Sequence, residues 1–169
     1  MSYKPGDGKA FFDKHMEYIG AKDMAGMVRD TYTSDATLYN AFPFLELPPP
    51  NVITGTEALI DAFTKYLDYQ GEIGVERLYN FLDSEEVISF QAVITSSKTG
   101  RWAVADTWLM KGEQIYKHFG VAHQLWAESS TNRWKKHEVE HLVLFYFSSL
   151  KFFSRREMIV KLSQEMFLD

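Results

Sequence analysis

The stretch Arg101–Gln124, RWAVADTWLMKGEQIYKHFGVAHQ, decides the fold. In its first half Trp102, Val104, Asp106, Trp108 and Met110 alternate with Arg101, Ala103, Ala105, Thr107 and Leu109, the period of two that a strand requires. Lys111-Gly112 interrupts the pattern and a second aromatic and β-branched run follows over 114–124, so the segment predicts an antiparallel hairpin. Two runs of the same kind precede it, at 72–82 and 86–97, separated by Asp83-Ser84 and Lys98-Thr99-Gly100. Four hairpin-linked strands in succession make a meander.

Upstream the period changes to that of helices. Phe11, His15 and Tyr18 form one stripe and Phe12, Met16 and Ile19 the next, which predicts an amphipathic helix over 7–20. Asp23 is placed to cap a second helix carrying Met24, Met27 and Val28 and ending near Tyr32. A short strand is expected over 35–41, and a loop over 42–53, where Pro43 and Pro48-Pro49-Pro50 can neither donate into a ladder nor continue a helix. Thr54-Gly55-Thr56-Glu57 has the spacing of a capping box before a third helix with Leu59, Ile60, Phe63, Tyr66 and Leu67 on its apolar face. Helices first and a meander afterwards predict an α+β fold, three helices packed on one face of a curved, mostly antiparallel sheet. From 126 onward a polar loop and then one or two strongly apolar helices are expected, giving an α+β domain over 1–125 and a helical extension over 126–169.

Composition narrows the function. The chain has 169 residues, of which 46% are hydrophobic and 24% charged, the make-up of a globular protein with a substantial core. A net charge of -5 argues against nucleic acid or an anionic membrane as partner. No cysteine is present, so disulfides, thiolate metal sites and cysteine nucleophiles are excluded. The N-terminus lacks the apolar run of a signal peptide and no stretch reaches the roughly 18 apolar residues of a membrane span, so a cytoplasmic location is expected. P-loop, G-x-G-x-x-G and G-x-S-x-G patterns do not occur.

Asp106 is the residue that calls for an explanation, because it lies in the bulky apolar row of its strand. Burial raises a carboxyl pKa unless a donor or cation offsets it, and a neutral carboxylic acid can donate a hydrogen bond to a developing oxyanion. The alternative is a partly solvated face or a structural tie to a neighbouring group. If Lys111-Gly112 is a two-residue turn, Asp106 faces Lys117 and shares its side with Ile115, Phe119, Val121 and His123; if the loop is one residue longer, it faces His118. The first register pairs apolar faces better, whereas the second sets a carboxylate beside an imidazole, as proton transfer near neutral pH requires. His15 sits within the apolar stripe of the first helix, either as a core histidine or as a catalyst. Asn40 can equally cap a turn at the end of its strand. His137-Glu138-Val139-Glu140-His141 matches H-E-x-x-H, yet a third ligand and an open position must also be supplied, so a solvated helical turn is the expectation and no metal is assigned.

With Tyr32-Thr33-Ser34-Asp35-Ala36-Thr37-Leu38, the segment Gly55 to Leu67, and Ala105-Asp106-Thr107-Trp108-Leu109 leading into Gly112-Glu113-Gln114-Ile115, the chain resembles the nuclear transport factor two-like superfamily over about residues 9–125. SnoaL-like cyclases, ketosteroid isomerases and scytalone dehydratase belong to that superfamily. The resemblance implies a cystatin-like cone, a curved sheet wrapped around helices with a deep apolar pocket at its open end, and a homodimer formed through the sheet. It also implies that Asp106 stands at the oxyanion-hole aspartate of ketosteroid isomerase, His15 near that family's catalytic tyrosine, and Asn40 where it keeps its general base. An amide cannot take up that proton at neutral pH, so the base role would pass to His15 with a neighbour such as Asp106.

The expected function is acid–base chemistry without a cofactor, in the isomerase or lyase class, on a small apolar carbonyl compound of steroid-like or polyketide-like type. His15 and Asp106 are the catalytic candidates, with His118 and His123 in reserve, one for each register. Tyr32, Tyr39, Asn40, Phe63, Trp102 and Trp108 are the candidate substrate contacts. The alternative is a non-catalytic ligand-binding or dimerisation module of the same fold.

Overall fold

The computed structural model describes residues 6–42, 50–84 and 86–125. The chain divides into two units, Met1–Trp126 and Ala127–Asp169, and the described residues all belong to the first. The expected helical extension and the H-E-x-x-H motif lie outside the described residues.

Three helices open the fold: α1, Gly8–Ala21; α2, Met24–Thr31; and α3, Thr56–Gln70. Between α2 and α3 lie β1, Tyr32–Asn40, and β2, Asn51–Thr54; after α3 come β3, Ile73–Asp83, β4, Val87–Ser96, β5, Gly100–Lys111, and β6, Gln114–Leu125. They form one curved α+β sheet in the order β2-β1-β6-β5-β4-β3, antiparallel throughout except for the parallel pair β1–β6. The four-strand meander is as the alternation predicts. Among the described residues no helix is long and apolar enough to cross a membrane.

Local chemistry explains most of the boundaries. Asp23 caps α2 by accepting a 2.8 Å hydrogen bond from the Gly26 amide. The capping box expected at Thr54 does not form, because the Thr54 hydroxyl is engaged across the β1–β2 ladder with Thr37 Oγ1 at 3.0 Å. The N-cap of α3 is instead Gly55, at φ 93°, a left-handed conformation that favours glycine. The loop expected over 42–53 is shorter by the strand β2, which pairs Asn40 with Asn51 through Thr37 with Thr54.

Neither register considered for the last hairpin is adopted. Lys111 pairs with Gln114, so the turn residues are Gly112 and Glu113, and a bulge follows, because Met110 pairs with Ile115 while Leu109 pairs with Lys117. Tyr116 is the extra residue, and the shift it adds sets Asp106 opposite Gly120 and Trp108 opposite His118.

The helices cover the inner face of the sheet. Met27, Val28, Leu59, Ile88, Trp108 and Ile115 are fully buried there, each contributing about 1.5–3 kcal/mol of transfer free energy. Trp108 is the hub: the Phe90 ring meets it edge-on at 5.0 Å between centroids, and Phe12 and His15 of α1 approach it at 6.1 and 4.7 Å. A smaller cluster of Phe42, Ala92, Ile94, Trp102 and Val104 fills the other end of the sheet.

Candidate active site

A cavity of about 100 Å³ lies between α1, α3 and the inner face of β1, β4, β5 and β6. Phe12, Met16, Ile19, Phe63, Tyr66, Phe90 and Trp108 give it an aromatic and aliphatic wall. His15, Asn40, Asp106 and His118 supply its polar groups, and Asp106 is the one Asp, Glu, Lys or Arg among the described residues lining it. An apolar cavity with a few converging polar groups is the usual form of a small-molecule site.

The polar groups are connected through His118. Its Nδ1 lies 2.8 Å from the buried Tyr32 hydroxyl, and its Nε2 comes within 3.5 Å of Asp106 Oδ1. The second contact is diagonal across the β5–β6 ladder, past Gly120, the residue opposite Asp106. Burial and the nearby Asp106 carboxylate hold the Tyr32 phenol well above its ordinary pKa, so it remains an O–H donor. A phenol that donates to Nδ1 leaves the proton of a neutral imidazole on Nε2, the nitrogen nearer the carboxylate. Tyr32, His118 and Asp106 thus form a connected chain. Burial likewise raises the Tyr66 hydroxyl.

His15 is separate from this chain. It is 3% exposed, its Nδ1 has no hydrogen-bond partner among the described residues, and its ring lies against Trp108 and Tyr32. Burial, and secondarily the electrostatic effect of His118, which a proton on that ring would add, lower its pKa to about 3. His15 is therefore neutral at neutral pH, and no hydrogen bond or ion pair among the described residues joins it to Asp106, as the expected His15–Asp106 pair would need. Asp106 is placed against His118.

The remaining candidates divide clearly. Phe63 and Trp108 line the cavity as expected, and Tyr32 stands behind His118. Asn40 is a turn cap: its Nδ2 donates to the Phe42 carbonyl at 2.9 Å and its Oδ1 accepts from the Phe42 amide at 3.2 Å, so its amide is spent on backbone. Tyr39 is not on the cavity wall but stacks on Phe119 at 4.8 Å. Trp102 is buried on Phe42, with its Nε1 donating to Thr99 Oγ1, and is not on the wall either. His123 pairs with Ala103 on the outer face and is exposed. The bulge also turns His123 away, since His118 and Gly120 face inward. Tyr66 and Gly120 are among the cavity residues that sequence reasoning did not name as candidates; the signal for the latter was an isolated glycine inside a strand, which commonly marks a close approach.

No family model matches the chain and no curated protein matches it. Solved structures do. An NTF2-like protein from Anabaena variabilis is 18% identical, with a TM-score of 0.56 over 73% of this chain and 95% of that one. An NTF2-like protein from Burkholderia xenovorans is 13% identical, with a TM-score of 0.54 over 71% of this chain and 92% of that one. An uncharacterized cystatin fold protein from Novosphingobium aromaticivorans is 11% identical, with a TM-score of 0.54 over 68% of this chain and 97% of that one. The chain therefore has the NTF2-like, cystatin-type α+β fold.

Proposed function

We propose that this NTF2-like fold carries a cofactor-independent acid–base enzyme, of the isomerase or lyase class, acting on a small apolar carbonyl compound. The observation that carries the reading is the chain Tyr32–His118–Asp106 ending on the wall of an apolar cavity. His118, oriented by Tyr32, presents Nε2–H toward one carboxylate oxygen of Asp106 and leaves the other free. That oxygen takes a proton from the carbon next to the substrate carbonyl, the electron pair of the C–H bond moves into an enolate, and the same carboxyl returns the proton to a different carbon. His15, held neutral, is the candidate hydrogen-bond donor to the enolate oxygen, since a neutral imidazole can polarise a carbonyl.

The test is deuterium exchange from solvent into the α-positions of small cyclic ketones, followed by NMR with wild-type protein and Asp106→Asn. Exchange above buffer that Asp106→Asn abolishes is the expected result. Wild-type protein that exchanges no ketone of the panel, or Asp106→Asn protein that exchanges as fast, overturns the reading.

One observation favours a ligand-binding module instead. Asn40, where the resemblance places a general base, is an amide tied to the Phe42 backbone. Ketone binding that survives Asp106→Asn, with no exchange in either protein, selects that alternative.

A further inference from the structure

Gly120 stands in β6 between two hydrogen-bonded neighbours, paired with Asn40 on one side and Asp106 on the other. A glycine inside a central strand weakens it by roughly 0.5–1 kcal/mol relative to alanine, so its presence calls for a reason. Backbone conformation is not that reason, since Gly120 is not among the glycines of positive φ. Space is. A Cβ at this position would lie 2.9 Å from Asp106 Oδ1 and 3.6 Å from His118 Nε2, in the gap that the carboxylate crosses to reach the imidazole.

We infer that Gly120 is a positioning residue, whose missing side chain lets Asp106 lean diagonally across the ladder to His118. The bulge at Tyr116 sets Gly120, rather than a residue with a side chain, opposite Asp106. Lys117 or His118 directly opposite would put bulk where the carboxylate now lies. Because the carboxylate is at the end of a rotatable side chain, alanine at 120 is accommodated by swinging Asp106 away from His118, with the strand intact. The inference gives the proposed acid–base site its geometry, yet its test needs no substrate.

The experiment is long-range ¹⁵N NMR of the His118 imidazole in wild type, Gly120→Ala, Asp106→Asn and the double variant, with Gly20→Ala as control because a Cβ there meets nothing within 4 Å. Gly120→Ala is expected to shift Nε2 while Nδ1, still held by Tyr32, stays in place. In the Asp106→Asn background the same alanine should leave Nε2 where Asp106→Asn alone puts it. An unmoved Nε2 in Gly120→Ala, or an equal movement in both backgrounds, overturns the inference. If Gly120→Ala does not fold, Asp106→Ala with Gly120→Ala decides: recovery of the fold once the carboxylate is gone supports the inference, and failure to recover overturns it. Absence of ketone exchange bears only on the proposed reaction, so the two readings fail separately.

Discussion

Tyr32 Oη and His118 Nδ1 lie 2.8 Å apart, both buried, across the parallel pair of strands β1 and β6. With the phenol as donor, the bond leaves the imidazole proton on Nε2. Tyr32→Phe keeps the ring and removes the donor, leaving Nδ1 buried without a partner. Stability is expected to fall by about 1–3 kcal/mol, and the Nδ1 resonance should move most. Thermal unfolding and the ¹⁵N spectrum of His118 check this, and an unchanged Nδ1 in a variant of wild-type stability refutes it.

The depressed pKa of His15 links stability to acid. In the unfolded chain a histidine titrates near 6.5, while in the folded protein His15 titrates near 3. Between those values the unfolded state binds the additional proton, so stability rises with pH across that window and is fully present above 6.5. The slope approaches about 1.4 kcal/mol per pH unit in its middle. His15→Phe should flatten the fall in urea midpoint between pH 7 and pH 4.5. A variant that loses as much stability over that range as wild type excludes His15 as the source.

In the proposed reaction His118 acts on the substrate only through Asp106, so their removal should not be additive. Asp106→Asn is expected to slow turnover by about 10²–10⁴-fold. His118→Gln should lower kcat by a smaller factor with KM little changed, and the double variant should match Asp106→Asn alone. Multiplying losses in the double variant would show that His118 touches the reacting atoms itself.

A fourth test concerns the turn between β4 and β5. Ser96 Oγ donates to the Gln70 carbonyl at 2.6 Å and accepts from the amides of Lys98 and Thr99 at 3.2 and 2.8 Å, tying the end of α3 to that turn. Ser96→Ala leaves the buried end of this network unsatisfied and should destabilise the fold by about 1–3 kcal/mol. Ser96→Thr retains the hydroxyl and should recover part of the loss. Equal unfolding midpoints for wild type and Ser96→Ala would refute the account.

The elements were legible because their periods are clean, and so was the oddity of Asp106, a carboxyl in a row with Trp102, Val104 and Trp108. Strand β2 was not, since Asn51–Thr54 directly follows the proline run and its pairing with β1 is a long-range event that local composition does not record. The site failed at a finer point. Hairpin register depends on which residues occupy the turn and on whether one is extruded afterwards, and Tyr116 shows no local mark of being extra. Turn and bulge together therefore decided that Asp106 meets glycine rather than lysine or histidine. His15 misled for a related reason: its stripe showed that it was buried, but which buried imidazole met the carboxylate was set by strands at the opposite end of the chain.

The parallel pair β1–β6 joins the first strand of the chain to the last described one. Tyr32 and His118 are separated by 86 positions, so their bond closes a long loop whose entropy must be lost before any contact across it forms. A pairing this distant in sequence forms more slowly than the hairpins of the meander. On a ribosome, helices and the first strands emerge well before β6, and no partial chain can hold a directed His118. The chain Tyr32–His118–Asp106 is therefore assembled in the last stage of folding, and its protection from hydrogen exchange should appear with that of β6 and no earlier.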